Sequence, residues 1–203
     1  MLLIGIAGGS GSGKTTFAKK ILSHLDHPDV EIIHQDSYYL SSPPSHLRVH
    51  GELNFDHPDA FDWELLRKHL GMLRRHKAIE VPIYDFQSCK RLPEESIRVG
   101  PCKAVILEGI YSLWDTEIRA LLDLKIFLQV EADVRFIRRL HRDVRERGRT
   151  VDSIIRQYYD TVRPMHHDHL EPTRVFADLI VGEESDIASG VIAAEIRDKV
   201  ART

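Results

Sequence analysis

A glycine-rich run near the start of the chain contains the residue types that bind phosphate. The run from Gly8 to Thr15, GGSGSGKT, fits the pattern G-x-x-x-x-G-K-[ST] and lies between an apolar stretch and a helical pattern. Glycines let successive backbone N–H groups face phosphate oxygens, and the helix N-terminus adds partial positive charge. We predict a site for ATP or GTP in which Lys14 contacts the terminal phosphates and Thr15 binds Mg²⁺. The predicted nucleotide-binding residues are Gly8, Gly9, Ser10, Gly11, Ser12, Gly13, Lys14, Thr15 and Thr16.

Two acids follow apolar runs that are predicted to be strands. Asp36 comes after the run 31–35, and Glu108 comes directly after Ala104–Leu107. Ligands of doubly wound sheets bind at the carboxyl ends of strands, so both carboxylates are candidates for chemistry. Phosphoryl transfer needs one acid beside the metal and one beside the acceptor hydroxyl; we assign Glu108 to the first role and Asp36, as general base, to the second. The alternative is that each acid caps a helix or lies in a loop.

An arginine-rich stretch spans about residues 135–150. Its first four arginines are spaced i, i+3, i+4 and i+7, which places like charges on one helix face unless acids or an anionic ligand offset them. Because guanidinium groups suit polyphosphate, we predict a lid over ATP, with Gly148 loosening its end. A solvated, ion-paired face is the alternative, and no interleaved aromatic residues support a nucleic-acid site. The arginines are Arg135, Arg138, Arg139, Arg142, Arg145, Arg147 and Arg149.

Short apolar runs alternate with helical patterns, which predicts an α/β fold with parallel strands and right-handed crossovers. A stretch at about 76–101 breaks this alternation and is predicted to be a small β-hairpin that projects from the sheet edge. The predicted strands are Leu2–Ile6, Glu31–His34, Ala104–Leu107, Leu124–Val130 and Asp178–Val181. The predicted helices are Lys14–Leu25, Phe61–Arg75, Asp115–Leu122, Ala132–Arg147, Val151–His169 and about Ser185–Val200.

Composition sets the class of protein. A length of 203 residues fits one domain, 1–203, and a net charge of −3 provides no general attraction to nucleic acid or to anionic membranes. The two cysteines, Cys89 and Cys102, indicate a reducing compartment rather than a disulfide framework. The apolar run at the N-terminus is too short for a signal peptide or a membrane span. We therefore expect a cytoplasmic protein without membrane or nucleic-acid partners.

Longer blocks of the sequence resemble the uridine kinase family, the uridine/cytidine kinases of pyrimidine salvage. The resemblance spans nearly the whole chain, from Gly5 to about Val181. It implies a P-loop NTPase fold with a five-stranded parallel sheet flanked by helices, a small β-hairpin insertion and a homotetramer. The blocks are GGSGSGKTT (8–16), QDSYY (35–39), NFDHPDAFD (54–62), PIYDF (82–86), LEGIY (107–111), RRLHRDVRERGR (138–149), QYY (157–159) and EPTRVFAD (171–178).

The resemblance also implies a reaction and donor-side roles. ATP and Mg²⁺ would phosphorylate the ribose 5′-hydroxyl of uridine or cytidine, with Asp36 as the catalytic base. Thr15 and Glu108 match positions associated with Mg²⁺. Lid arginines on the phosphates correspond to Arg142 and Arg147. The implied catalytic residues are Asp36, Lys14 and Arg142.

On the acceptor side, the resemblance implies that Asp56 holds the ribose hydroxyls together with Arg139. The remaining implied nucleoside-site residues are Tyr84, which packs on the base, Arg149 and Gln157. Cys89 departs from the family, which generally has histidine at this position, where it helps to read the pyrimidine edge. Because a thiol is a poor hydrogen-bonding group, a different base preference or acceptor is an open alternative.

Two other functions remain open from the sequence. The first is a kinase of another nucleoside or small alcohol, similar to phosphoribulokinase or pantothenate kinase. The second is a non-catalytic nucleotide-binding regulator built on the same loop. The paired acids favour catalysis over the second, and a guanine-reading N-K-x-D motif is absent from the sequence.

Overall fold

A computed structural model describes residues 1–25, 29–183 and 185–201. The five apolar runs of the sequence are strands of one parallel sheet, in the order Val30–His34, Ala104–Glu108, Leu2–Gly8, Leu124–Leu128 and Leu179–Val181. Within the described ranges the strands are β1 (Leu2–Gly8), β2 (Val30–His34), β3 (Arg48–Val49), β4 (Glu52–Leu53), β5 (Ile79–Asp85), β6 (Lys90–Val99), β7 (Ala104–Glu108), β8 (Leu124–Leu128) and β9 (Leu179–Val181).

Helices cover both faces of this sheet. They are α1 (Lys14–Leu25), α2 (Trp63–Arg74), α3 (Thr116–Leu121), α4 (Ala132–Arg147), α5 (Val151–Gln157), α6 (Arg163–Met165) and α7 (Asp186–Ala201). The central strands are apolar on both sides because each side packs against a helical layer. One core joins Leu3, Val105, Leu107 and Phe127 to Leu66, Leu70 and Ile118. The other joins Ile4, Ile6, Ile106 and Ile126 to Phe17, Ile21, Ile192 and Ile196.

The sheet register brings the functional ends of three strands to one edge. Glu108 of β7 pairs with Ile6 of β1 on one side and with His34 of β2 on the other. The glycine-rich loop therefore begins two residues beyond the position level with Glu108, and Asp36 follows two residues beyond His34. Parallel pairing alone places these groups at the carboxyl end of the sheet, where ligands bind in such folds.

The hairpin predicted at about 76–101 is present, with β5 and β6 as its two strands. Strands β5 and β6 pair antiparallel with an irregularity between Pro82 and Tyr84. Arg91 anchors the hairpin to the body of the protein: its Nη1 donates to Asp62 Oδ2 at 2.9 Å and its Nη2 donates to the carbonyl oxygen of Tyr38 at 3.0 Å. Pro93 is tolerated inside β6 because the hairpin has free edges.

The helix predicted at Val151–His169 differs from the structure. Only the first seven residues form α5; π-helical turns at 158–162 and 166–170 follow, and 3₁₀ turns continue to Phe176. Each π turn lies shortly before a proline, Pro164 or Pro172, which lacks an N–H group and crowds the carbonyl four residues earlier. A second difference is α2, which begins at Trp63 because the Asp62 carboxylate caps it by accepting from Leu65 N at 3.0 Å.

In the part of the chain that the structure describes, no helix is both long and apolar enough to cross a membrane.

Candidate active site

The glycine-rich loop packs tightly against the start of α4. A Cβ atom at Gly11 would overlap the carbonyl oxygen of Arg135, and one at Gly9 would overlap its guanidinium group. Gly11 and Gly13 have φ angles of +81° and +88°, which side-chain-bearing residues rarely adopt. The loop sequence is therefore fixed both by backbone conformation and by contact with a buried arginine.

Lys14 begins α1 and folds back over the loop. Its Nζ donates to the carbonyl oxygen of Gly9 at 3.1 Å. Burial lowers the pKa of Lys14, while Glu108 and Asp36 oppose that effect. The ammonium group thus lies among backbone carbonyls and carboxylates, in a position to bind phosphate.

Glu108 is the centre of a three-residue contact at the end of β7. Its Oε1 accepts from Thr15 Oγ1 at 2.8 Å and lies 2.6 Å from His34 Nδ1. Burial favours the neutral acid, but the hydrogen bond with His34 and the charge of Lys14 outweigh it and lower the pKa of Glu108. The same hydrogen bond raises the pKa of His34. Glu108 therefore stays ionised beside the Thr15 hydroxyl.

Asp36 lies in a 3₁₀ turn, Gln35–Tyr38, that directly follows β2. Burial and the nearby charge of Glu108 raise its pKa, and Lys14, Arg147 and Arg142 act in the opposite direction. Within the described residues, no hydrogen bond fixes its carboxylate. The group is therefore a partly desolvated base surrounded by the predicted phosphate-binding cations.

A neutral clamp holds the ends of β2 and β7 together. Gln35 is fully buried, and its Oε1 accepts from Tyr111 N at 2.8 Å. A Cβ at Gly109 would overlap the Gln35 side chain. The Tyr111 hydroxyl in turn donates to the carbonyl oxygen of Asp56 at 2.7 Å. This contact chain, the Gln35 clamp, connects the neighbours of Asp36 and Glu108 to the backbone of Asp56.

Asp56 is buried within a polar network on the acceptor side. Its Oδ2 accepts from Thr161 Oγ1 at 2.9 Å and from Gln157 Nε2 at 3.4 Å, and its Oδ1 lies 3.9 Å from Arg139 Nη1. Arg139 also donates to Gln157 Oε1 at 3.0 Å and to Ser10 Oγ of the loop at 2.8 Å. Arg139 thus joins the predicted ribose acid to the phosphate loop.

The hairpin provides the aromatic wall of a cavity that Asp36 and Asp56 also line. Tyr84 lies 5.2 Å from Tyr39 and 5.4 Å from Phe86, measured between ring centres. Burial, and then the neighbouring Cys89, raise the pKa of Tyr84. Cys89 is exposed, has a φ of +54°, and its Sγ lies 3.6 Å from the carbonyl oxygen of Phe86.

The arginines of α4 do not share one environment, contrary to the single-face expectation. Arg138 turns away to form an ion pair with Glu183 at 2.5 Å, and Arg145 is exposed. Gly148 adopts the left-handed conformation and its N–H bonds to the carbonyl oxygen of Asp143, so it ends the helix with a defined cap. The arginines that line the cavity are Arg139, Arg142, Arg147 and Arg149.

A cavity of about 740 Å³ gathers most of the predicted site residues. Those that line it are Ser10, Lys14, Thr15, Asp36, Asp56, Tyr84, Cys89, Glu108, Arg139, Arg142, Arg147, Arg149 and Gln157. The remaining loop residues are not part of the cavity lining: Gly8, Gly9, Gly11, Ser12, Gly13 and Thr16. The first five form the turn that supports the lining residues, and Thr16 is exposed on α1.

Sequence reasoning missed several residues of this site. Tyr39, Phe55 and Phe86 line the cavity and lie in the sequence blocks QDSYY, NFDHPDAFD and PIYDF, so the family resemblance is the signal that points to them. His34 and Thr161 act by contacting Glu108 and Asp56. Neither has a distinguishing sequence context, because their roles arise from pairing across strands and packing across helices.

The donor set fits a nucleoside triphosphate with Mg²⁺. Thr15 and Glu108 present hard oxygen ligands side by side, which suits Mg²⁺. A Cβ at Gly13 would meet no atom within 4 Å, so the loop is open on that side. Lys14, Arg142 and Arg147 place three cations around the same space.

Nearly the whole chain is similar in sequence to a known protein family. Residues 3–188 match the model of the Phosphoribulokinase / Uridine kinase family. A protein named uridine kinase from Clostridium botulinum (strain Langeland) is 48% identical over 198 residues, covering 97% of this chain and 96% of that protein. A uridine kinase from Lactobacillus helveticus is 45% identical over 199 residues, with coverages of 97% and 94%.

A solved structure supports the fold. The putative fructose transport system kinase from Silicibacter sp. TM1040 superimposes with a TM-score of 0.70 at 24% identity, covering 88% of each chain. At this identity the likeness concerns the arrangement of strands and helices alone.

Proposed function

The chain belongs to the phosphoribulokinase/uridine kinase family and is a phosphotransferase with an alcohol group as acceptor, and we propose that it phosphorylates the 5′-hydroxyl of uridine or cytidine. ATP is the proposed phosphoryl donor, and the products are ADP and the nucleoside 5′-monophosphate. The observation that carries the proposal is the arrangement of one cavity: a phosphate loop and metal-type ligands at one end, and the Asp56 network with the aromatic hairpin at the other.

Asp36 is proposed to accept the proton of the attacking hydroxyl. Its raised pKa makes the carboxylate a stronger base than an ordinary aspartate, and the charges of Lys14, Arg147 and Arg142 oppose that rise. A base is useful only within reach of both substrates, and Asp36 lines the same cavity as Lys14 and Asp56.

Lys14 and Arg142 are proposed to stabilise the charge on the phosphoryl group during transfer. Both are fixed before substrate arrives, Lys14 by the carbonyl oxygen of Gly9 and Arg142 by Asp143. Preorganised cations lower the barrier because they need no rearrangement as charge develops. Mg²⁺ held by Thr15 and Glu108 would neutralise charge on the β- and γ-phosphates.

Asp56, Arg139 and Gln157 are proposed to hold the ribose. Asp56 offers an acceptor for sugar hydroxyls, and Arg139 can reach both the sugar and the phosphate loop. The base then lies against Tyr84 and the hairpin turn. The ribose site thus depends on residues from the loop before α2, from α4 and from α5, which explains why its parts are far apart in sequence.

Cys89 favours a second candidate, a kinase whose acceptor carries a different base or none. Cys89 lines the cavity. The family resemblance implies an imidazole at this position to read the pyrimidine edge, and a thiol is a weaker hydrogen-bonding group. An acceptor recognised mainly through its ribose would bind to the Asp56 network and would need no specific contact with the hairpin turn.

One assay separates these candidates. ADP release is measured with uridine, cytidine, purine nucleosides, free ribose and small sugar alcohols as acceptors, and the products are identified by mass and by co-elution with 5′-monophosphates. Uridine or cytidine should give the highest kcat/KM. A purine nucleoside or a non-nucleoside alcohol as the best acceptor would replace the proposed function with the second candidate.

A homotetramer stays a prediction of the family resemblance. Light scattering of the purified protein at assay concentration measures it directly.

A further inference from the structure

Asp143 is a fully buried carboxylate in the middle of the arginine-rich segment. Four guanidinium groups surround it, from both the helix α4 and the residues just beyond it. The contacts are Arg142 Nη2 at 2.8 Å and Arg147 Nη1 at 3.6 Å to Oδ1, and Arg139 Nε at 3.6 Å and Arg149 Nη1 at 3.7 Å to Oδ2.

The two carboxylate oxygens divide these partners by function. Oδ1 faces Arg142 and Arg147, which are the proposed phosphate-binding arginines. Oδ2 faces Arg139 and Arg149, which lie on the proposed acceptor side and both bond to Gln157. A single anionic group is thus shared between the parts of the cavity that would hold the two substrates.

The two sides are not equally tight. Arg142 Nε donates to Oδ1 at 2.9 Å. In contrast, Oδ2 and Arg139 Nε are both buried without a hydrogen-bond partner in the described part of the chain, although they lie 3.6 Å apart. The acceptor-side contact is therefore a charge contact with room to shorten, and a small displacement of Arg139 or Arg149 would change it.

Electrostatic interactions explain why a buried carboxylate lies among these four arginines. Four cations this close repel one another, and a buried carboxylate without its partners would be strongly disfavoured. Asp143 therefore holds the arginines at defined positions while no phosphate is present. An anion bound by Arg142 and Arg147 offsets part of their attraction for Asp143, which then interacts more strongly with Arg139 and Arg149.

We propose that Asp143 is a positioning residue that couples the donor and acceptor sites, so that nucleotide binding orders Arg139 and Arg149 for the nucleoside. This inference rests on the proposed function. It assigns Asp143 no contact with either substrate; the residue acts through the four arginines.

The test is a binding cycle with Asp143→Asn, which keeps the shape of the side chain and removes its charge. Calorimetry measures the Kd of uridine with and without a saturating non-hydrolysable ATP analogue and Mg²⁺. Wild-type protein should bind uridine at least about fivefold more tightly with the analogue bound, the lower end of usual coupling. In Asp143→Asn the factor should fall below about twofold, and kcat should fall by at least about tenfold.

Two variants act as comparisons. Asp133→Asn removes an exposed acid from the first turn of the same helix and should keep the wild-type coupling. Asp143→Glu retains the charge and should recover part of the coupling. If Asp143→Asn does not fold, the cycle is read in Arg149→Gln, which removes a partner of Oδ2 and should also lose coupling.

The outcomes separate this inference from the proposed function. Wild-type protein that neither binds nor phosphorylates uridine or cytidine overturns both. Wild-type protein that phosphorylates a pyrimidine nucleoside but shows no coupling, or variants that keep the full coupling factor, overturn the role of Asp143 alone. A variant with a lowered Tm but unchanged coupling and kcat shows that Asp143 is only structural.

Discussion

The guanidinium carbon of Arg147 lies 4.3 Å from the centre of the Phe86 ring. Arg147 belongs to the last turn of α4 and Phe86 to the turn between β5 and β6, so the arginine-rich segment rests on the hairpin. Cations attract the face of an aromatic ring at this distance. A residue near the proposed base site therefore helps to fix a cation near the proposed phosphates.

Phe86→Leu should raise the KM for ATP about two- to fivefold, although Phe86 lies on the hairpin. The reason is loss of a cation–π contact, which is worth about 0.5–1 kcal/mol at an exposed site. Steady-state kinetics with varied ATP measures the effect. Ile97→Leu, at an exposed position elsewhere on β6, is the matched control and should leave KM unchanged. An unaltered KM for ATP in Phe86→Leu would show that the ring does not position Arg147.

Asp36→Asn should fold and bind ATP but lose about 10²–10⁴-fold in kcat, the usual contribution of a general base. The amide keeps the size of the side chain and cannot accept the hydroxyl proton. Rapid-quench measurement of nucleoside monophosphate formation checks this, with calorimetry for ATP binding. Asp186→Asn, which changes an aspartate that is ion-paired to Lys20 on the surface, is the control. Turnover near the wild-type rate in Asp36→Asn would remove Asp36 from the mechanism.

The acid limb of the pH profile should lie above the ordinary aspartate pKa of 3.8, because burial and Glu108 raise the pKa of Asp36. The active form is ionised, so kcat/KM falls as the pH drops through this raised pKa. Arg147 lowers the pKa of Asp36, so Arg147→Gln should move the limb to higher pH. The residual activity of Asp36→Asn should lack the limb; a limb that persists there belongs to another group.

Cys89→His should raise kcat/KM for uridine or cytidine about two- to tenfold, the worth of one hydrogen bond of about 0.5–1.5 kcal/mol. The backbone accepts the change, because His50 and His76 of this chain already adopt positive φ angles similar to that of Cys89. Glu94→His places the same residue at another positive-φ position of the hairpin, outside the cavity lining. Equal kcat/KM in Cys89→His and wild type would mean that Cys89 does not contact the base.

Gly11→Ala should weaken ATP binding more than tenfold, because a positive φ costs a non-glycine residue about 1–2 kcal/mol and the new Cβ would overlap Arg135. Gly190→Ala is the comparison: Gly190 lies within α7, and a Cβ there meets no atom within 4 Å. That change should stabilise the protein by about 1 kcal/mol. Nucleotide titration and thermal unfolding measure the two effects. ATP binding within twofold of wild type in Gly11→Ala would show that the loop tolerates a side chain.

Much of the fold could be predicted from the sequence because its strands are apolar on both faces and glycine marks the phosphate loop. The apolar runs mark all five strands to within two residues at each end, and the hairpin interrupts the alternating pattern of strands and helices. The π turns could not be predicted, because they depend on how each proline displaces the turn before it within a packed segment.

The candidate site likewise contains residues that the sequence predicts and contacts that it does not predict. Asp36 and Glu108 could be identified because strand ends in a parallel sheet are defined by sequence. Helical spacing indicated that Arg138 and Arg139 would share a face, yet the first pairs with Glu183 and the second with Ser10. Helical spacing predicts the direction in which each side chain leaves the helix axis. Tertiary packing decides which neighbouring side chain each arginine then contacts. No sequence pattern distinguishes Asp143 from the other acids of the chain. Its proposed role is visible only in the structure, from the four arginines that surround it.

The Gln35 clamp has a consequence for how the site responds to its surroundings. The groups that join the neighbours of Asp36 and Glu108 to the backbone of Asp56 are an amide, a glycine and a phenol, and burial raises the pKa of that phenol, Tyr111, above its usual value. None of them gains or loses a proton at neutral or mildly acidic pH. Acidification through the raised pKa of Asp36 therefore leaves this scaffold intact, so kinetic titrations should report protonation without a superimposed change of shape.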